Sequence, residues 1–355
     1  MHRYGPVGTM VRECGVRTMQ GTVVPAIRRF RARPFFDLTT NRSVRLPGIG
    51  PMLKAVVRYT RLAAKRPEMC RPGHWDMPAD LALPLSEWLR EHGLSALDPM
   101  FASWLCGFGY GYTDTIPAAY ALKFWTPQMI FKSLILKWLR GFEDGYQVVW
   151  DRVAASLDVR FGHAVTRIVR GDKVAIHYGT GVCEFDKVIL ACDLRAIAPA
   201  LDSDEEERAL IGRIVDHRYC VVIADVEKMP ARVAFLHQNF NGRRIGSTVC
   251  WYQRWADRNL HSFYALVPNG MSLGDMHAGI AGDIERVGGK LNRIVESAIW
   301  DYFPRVSSAD LEAGFYRQLE ARQGVRHTYY AGEIMNFPCV DLLAEYSADL
   351  VARFF

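Results

Sequence analysis

The sequence predicts an α/β fold in two domains, one with buried parallel strands and one with a mixed sheet and helices. Three observations predict it. The stretch Thr328-Tyr-Tyr-Ala-Gly-Glu-Ile-Met-Asn-Phe337 reads as a short buried strand, His327 to Tyr330, running into Ala-Gly-Glu. A helix follows from about Val340 to Phe355. Second, Glu184 to Ala191 reads as one strand whose Val188-Ile-Leu190 is apolar on both faces, as in a buried parallel strand. Third, Tyr219-Cys-Val-Val-Ile223 is the clearest β-run of the chain, and Val249 to Tyr252 and Phe263 to Val267 add two more strands to a mixed sheet.

At 355 residues, half of them hydrophobic, the chain can bury a core large enough for two domains. The net charge of +6 comes from basic residues scattered along the sequence, which does not indicate nucleic-acid binding. Eight cysteines show no CxxC pair. They read as reduced core thiols of a cytoplasmic protein, Cys192 and Cys220 lying in apolar runs. No apolar window reaches the ~20 residues a transmembrane segment needs. The longest, Met129 to Leu139, is broken by Lys132 and Lys137.

From the N-terminus, Gly5 and Gly8 follow no strand, and no strand followed by G-x-G-x-x-G occurs anywhere. Gly107-Phe-Gly-Tyr-Gly111 follows a helical stretch and is crowded with aromatics, so it does not substitute. Arg28, Arg29, Arg31 and Arg33 lie close together beside Phe30 and Phe35-Phe36, and Phe35 to Val44 predicts a hairpin. Helices are predicted over Met52 to Arg66, Leu81 to His92 and Ser95 to Phe108. Residues 107–138 are the most aromatic stretch, including Phe108, Tyr110 and Phe131. They are either core or the wall of an apolar tunnel, since ligand pockets are mostly apolar. A helix begins at Gly145 to Trp150 and ends near Leu157. Strands are predicted over Asp158 to Phe161, Ala164 to Val169, Lys173 to Tyr178 and His217 to Glu227. Glu205 to Arg213 reads as a helix whose charges form a solvated face, and Gly282 to Asp301 as a helix closing on Trp300.

No hydrolase elbow, H-E-x-x-H helix or patterned pair of carboxylates is present, and ten histidines are dispersed without metal-ligand spacing. Gly332 stands out instead. Lacking a Cβ, a glycine between a strand and a helix lets the backbone approach an anionic or electron-rich ligand. The same spacing also serves an ordinary strand-to-helix turn.

Four stretches, in order along the chain, resemble the bacterial polyunsaturated fatty acid double-bond isomerases of the flavin-containing amine oxidase superfamily. They are Phe108-Gly-Tyr-Gly111 with Ile116-Pro-Ala-Ala-Tyr120, Tyr252-x-Arg-Trp-Ala-Asp257, Tyr302-Phe-Pro-x-Val-Ser-Ser308, and Ala331-Gly-Glu-Ile-Met335. Tyr329 to Glu333 with Tyr346-Ser-x-Asp-Leu350 is similar to the superfamily's C-terminal flavin segment. The resemblance implies an FAD-binding Rossmann-like domain lacking its first βαβ unit, plus a substrate domain of mixed sheet and helices. The chain would start just after that unit: a fragment, a misplaced start, or a protein without its pyrophosphate site.

It further implies this division: 1–20 a remnant of the FAD domain, 21–140 and 216–321 the substrate domain, 141–215 and 322–355 the FAD domain. Val165 would meet the adenine, Cys192 and Asp193 would stand beside the cofactor, and Glu333 would bond a ribityl hydroxyl. A helix starting near Met335 and Asn336 would offer its partially positive N-terminus to the reduced flavin. The implied activity is hydride abstraction and return at an allylic carbon of an apolar carboxylate, such as an unsaturated fatty acid, with no protein acid or base because the cofactor carries the chemistry. Arg28 or Arg29 would pair with the carboxylate, and Phe108, Tyr110, Phe131 and Tyr252 would line the cavity. A flavin oxidase or dehydrogenase of a natural product, or a non-catalytic remnant, are the alternatives.

Overall fold

The computed structural model describes residues 5–15, 18–20, 35–37, 42–43, 47–130, 140–142, 145–253 and 257–355. The elements in order are α1 (Gly5–Glu13), β1 (Thr18–Gln20), β2 (Phe35–Asp37), β3 (Arg42–Ser43), α2 (Ile49–Ala64), α3 (Leu85–Glu91), α4 (Asp98–Gly107) and α5 (Ala118–Phe124). Then come β4 (Arg140–Phe142), α6 (Gln147–Ala154), β5 (Val165–Arg170), β6 (Val174–Tyr178), β7 (Gly181–Phe185), β8 (Val188–Leu190), α7 (Leu194–Ile197) and α8 (Glu205–Ile211). The C-terminal part holds β9 (Val215–Glu227), β10 (Val233–Leu236), β11 (Thr248–Tyr252), β12 (Leu260–Val267), α9 (Leu273–Arg286), β13 (Lys290–Arg305), α10 (Ser308–Glu312), α11 (Phe315–Glu320), β14 (Thr328–Tyr330) and α12 (Val340–Phe354).

Two sheets matter for the site. A mixed sheet runs β13-β9-β12-β11-β10-β2-β3, antiparallel except where β2 lies parallel to β10. The hairpin expected over Phe35 to Val44 forms its far edge, Phe36 pairing Ser43. Because strand side chains alternate, each strand serves two faces. Val222, Ala224, Phe263, Ala265 and Trp251 form a fully buried face closed by Met276, Ile280 and Ile284 of α9. The opposite face carries Tyr219, Tyr264, Tyr252 and Phe235 and meets Ala102 and Cys106 of α4. The second sheet pairs β8 with β14 in parallel, Val188 opposite Thr328 and Leu190 opposite Tyr330. The parallel pairing expected of Val188–Leu190 is present. The antiparallel sheet β5-β6-β7 stands beside it.

Several expectations are corrected. Of the helix expected over Gly282 to Asp301, the part from Lys290 onward belongs instead to β13, paired along β9. Three register shifts in that pairing break the period-two alternation that would have marked a strand. The helix before it ends at Arg286, and Gly288 turns the chain at φ +81. Asp158 to Phe161 forms no strand, and Phe161 is exposed. Glu184 to Ala191 splits at Asp186-Lys187 into the end of β7 and the separate strand β8. All eight cysteines are unbridged, but Cys192 is an exposed thiol beyond β8, unlike buried Cys220. No helix among the described residues is long and apolar enough to cross a membrane.

Candidate functional site

At the carboxyl ends of two adjacent parallel strands the backbone opens outward, which is where ligands of open α/β sheets bind. Here that crevice is made by Ala191-Cys192-Asp193 after β8 and Gly332-Glu333 after β14. Ala191 donates none of its side chain to the core. It and Cys192 are exposed. Gly332 adopts φ +81, and a Cβ there would lie 2.8 Å from the carbonyl oxygen of Ala191. The glycine is therefore demanded by the crossing of the two strand ends, which presses the two backbones together.

The crevice is acidic. Asp193 caps α7 by accepting from the Arg195 amide at 3.0 Å. Burial works against its charge, but Arg195 holds its carboxyl below the usual range. Arg195 also bridges to Asp216 at 2.7 Å. Among the described residues Glu333 has no such cation. Packing around its carboxyl, and then Asp193, push its pKa up.

Beyond Glu333 the chain makes a turn, with the Met335 amide donating to Gly332 O at 3.1 Å. Met335 and Asn336 are buried. Asn336 Nδ2 donates to Leu342 O at 2.8 Å, tying the turn to the helix. This corrects the expectation for these two residues. The helix begins at Val340, so Met335 and Asn336 do not form its first turn.

Behind the crevice, β14 is fixed by a buried ionic cluster. Arg170 Nη1 and Nη2 fork onto Glu207 at 2.8 and 2.6 Å, and its Nε reaches Asp202 at 2.7 Å. The Tyr330 hydroxyl donates to the same Glu207 at 2.5 Å. Arg326 reaches Asp202 at 2.5 Å from a left-handed backbone, φ 50. Burial raises the cost of charging Glu207, and Arg170 and Tyr330 more than offset it. Glu207, read as part of a solvated face, is thus buried. Its partner lies 37 residues away.

In front of the turn lie aromatics. The Tyr110 hydroxyl donates to Pro338 O at 3.0 Å, and its ring packs on Phe337 at 4.5 Å and on Tyr302 at 5.7 Å. Tyr302 stacks on Tyr219 at 5.7 Å, Tyr219 on Tyr264 at 6.0 Å, and Tyr264 meets Tyr252 edge-on at 5.7 Å. This row crosses the open face of the large sheet. Tyr252, Tyr264 and Tyr302 remain half-buried. Phe108 is 43% exposed and lies against Trp104.

The structure thus brings together Cys192, Gly332 and Glu333, and, on the sheet face, Tyr110 and Tyr252 through Tyr302, Tyr219 and Tyr264. Val165 stands apart, exposed at the first position of the β5 hairpin. Arg28, Arg29 and Phe131 lie outside the described residues. Tyr264 was missed as a site residue. Alternation along Leu260–Val267 puts Tyr264 opposite in face to Phe263, the signal that could have found it.

A family model described as flavin containing amine oxidoreductase matches residues 52–273, well over half of the chain. The chain belongs to that family. Membership makes oxidoreductase chemistry with a flavin cofactor the family's expectation for this chain. The crystal structure of a conjugated-linoleic-acid-producing fatty acid isomerase from P. acnes matches with TM-score 0.84 and 30% identity, covering 95% of this chain and 86% of that one. A curated FAD-dependent oxidoreductase, dpasF of Apiospora sacchari, is 24% identical over 311 residues, 78% of this chain. The chain spans 64% of that relative's length. Cyclohexylamine oxidase from Brevibacterium oxydans matches at TM-score 0.63 and 12% identity, over 97% of this chain and 83% of its own, a likeness of fold alone. The fold is the amine oxidase one, with a Rossmann-like α/β part and a mixed-sheet part.

The crevice fits one end of such a cofactor. It offers exposed small residues and a carboxylate that no described cation pairs with, able to accept from ribityl hydroxyls. Among the described residues no strand–glycine-loop–helix unit cradles a pyrophosphate.

Proposed function

We propose that the chain is an FAD-dependent enzyme acting on an apolar carboxylate, of the kind that shifts a double bond by moving a hydride at an allylic carbon. The observation that carries it is the tyrosine row, Tyr302 to Tyr252, half-buried except at Tyr219, leading away from the flavin-family turn across a sheet face. Such a floor suits a long apolar chain, burying its methylenes against rings and leaving few polar groups to fix it. Bound FAD would supply the hydride acceptor and donor. The chain's own residues do the rest. Residues 141–215 and 322–355 form the cofactor side, with 1–20 belonging to it, and 21–140 and 216–321 the substrate side. Cys192, Gly332 and Glu333 hold the ribityl end, Met335 and Asn336 fix the turn, and Val165 meets the adenine. Phe108, Tyr110, Phe131 and Tyr252 wall the cavity and exclude water. Arg28 or Arg29 anchors the carboxylate.

The 30% identity to the fatty acid isomerase favours isomerisation, whereas the FAD-dependent oxidoreductase relative favours a reading in which the electrons leave. The experiment supplies FAD and linoleic acid without oxygen. Isomerisation yields a product of unchanged mass with a new conjugated-diene absorbance over many turnovers. A single turnover, resumed only when oxygen or another acceptor is added, supports the oxidase reading instead. In the same assay, Arg28→Ala or Arg29→Ala is expected to weaken linoleic acid binding about tenfold to a hundredfold and spare its methyl ester. Equal treatment of acid and ester by parent and both variants sinks the anchor.

A further inference from the structure

Although basic residues are scattered over the chain as a whole, Leu38 to Pro67 has seven of them and no Asp or Glu, a local charge of +7. Helix α2 organises the centre of this stretch. Ala55, Tyr59 and Ala63, spaced four apart, are its buried stripe. Its opposite side mixes two chemistries. Leu53 is 59% and Val57 43% exposed, one turn apart. Lys54, Arg58, Arg61 and Lys65 lie beside them, all exposed. Among the described residues none of these four reaches a carboxylate within ion-pair distance, although Arg66, next along, is paired to both Glu68 and Asp80. A solvated helix face typically interleaves both signs and hides its leucines. This one does neither.

We propose that the outer face of α2 docks on an anionic lipid bilayer surface. Cationic side chains beside an apolar strip on one helix are what headgroups and the acyl boundary together accept. Nucleic acid would use the cations but leave Leu53 and Val57 in water. The helix is also placed to matter. On its inner side, the Tyr59 hydroxyl donates to Trp125 O at 2.5 Å, and Trp125 packs on Trp104 at 5.9 Å. Trp104 in turn backs Phe108 at 5.2 Å, the exposed ring of the aromatic stretch. Helix α2 is thus linked to that wall through Tyr59, Trp125 and Trp104. The proposal does not depend on the substrate reading, because vesicle binding needs neither cofactor nor turnover.

The test is co-sedimentation of the full chain with phosphatidylcholine vesicles, with and without phosphatidylglycerol. We expect binding to the anionic vesicles that weakens as salt rises. With each basic residue contributing about fivefold, Lys54→Gln/Arg58→Gln/Arg61→Gln is expected to bind on the order of a hundredfold more weakly. Leu53→Ser/Val57→Ser, which keeps the charge, is expected to lose about tenfold. All five side chains are exposed, so both variants should keep the parent's circular dichroism. Equal sedimentation with neutral and anionic vesicles, undiminished binding by the triple variant, or duplex DNA binding tighter than vesicle binding overturns the proposal.

Discussion

The two ends of the segment Thr328–Pro338 are held by opposite chemistries. At the strand end the polar groups of Thr328 and Tyr330 are bonded within the protein: both side chains meet the Arg170–Glu207 fork, and Gln323 Oε1 and Nε2 bond the Tyr330 amide and carbonyl at 2.8 and 2.9 Å. At the turn end Glu333 has no cation among the described residues, and Cys192 is exposed. In front of the turn stand aromatic rings, Tyr110, Phe337 and Tyr302. A closed end fixes position, and an open end leaves groups free for a ligand. Damage at the first should therefore appear as lost stability. Damage at the second should appear mostly as altered binding.

The largest effect is expected from Arg170→Ala. Removing one partner leaves Glu207 and Asp202 charged, Glu207 fully buried, at a cost of about 3–5 kcal/mol in denaturant unfolding. A loss below about 1 kcal/mol would mean that the closed end does not hold the strand.

Next comes acid sensitivity through His217, which packs behind the turn against Phe303 and donates Nε2–H to Gly109 O. Burial, then nearby Arg305, lower its pKa to about 4 from 6.5, against the pull of the Gly109 bond and Asp216. The unfolded chain then binds the extra proton more readily between those values. Stability is thus present above pH 6.5 and lost as pH falls towards about 4, by about 3 kcal/mol in all. His217→Gln should flatten that part of the stability–pH curve. An unchanged slope would assign the acid loss to the carboxylates.

How much of this was legible depends on how local the cause is. The strand 188–190, the Ala-Gly-Glu turn and the helix after it show in sequence because composition and one glycine dictate them. That Cys192 stands beside Gly332 came only through the family resemblance. Long-range causes left no local trace. Glu207 looks solvated in Asp-Glu-Glu-Glu-Arg until Arg170 is folded against it. The β13 strand hides because bulges scramble its alternation. The tyrosine row exists only once strand pairing sets Tyr219, Tyr264 and Tyr252 on one face.

Gly332→Ala probes the join between the two ends. Its Cβ would meet Ala191 O at 2.8 Å in a left-handed backbone, so a destabilisation of about 1–2 kcal/mol from the backbone alone is expected, more if Ala191 cannot shift. The readout is flavin bound per folded molecule. If it stays at the parent's value while stability falls, the glycine serves the strand crossing. If it falls further than the folded fraction does, the turn touches the cofactor.

The smallest stability effect is expected at the open end, from Tyr110→Phe. The hydroxyl donates one hydrogen bond to Pro338 O, and burial raises its pKa, so it is neutral at any working pH. Loss of one neutral hydrogen bond costs about 0.5–1.5 kcal/mol, less than any change above. The ring, which packs on Phe337 and Tyr302, is retained. If the turn is the ligand-facing end, however, freeing Pro338 should loosen the segment that carries Glu333. Flavin affinity and linoleate KM should then change by more than stability does, as measured by flavin titration and steady-state kinetics beside denaturant unfolding. A variant that loses about 1 kcal/mol with unaltered flavin and substrate affinity would make both ends of the segment equally structural. The contrast between them would then be one of chemistry without consequence for binding.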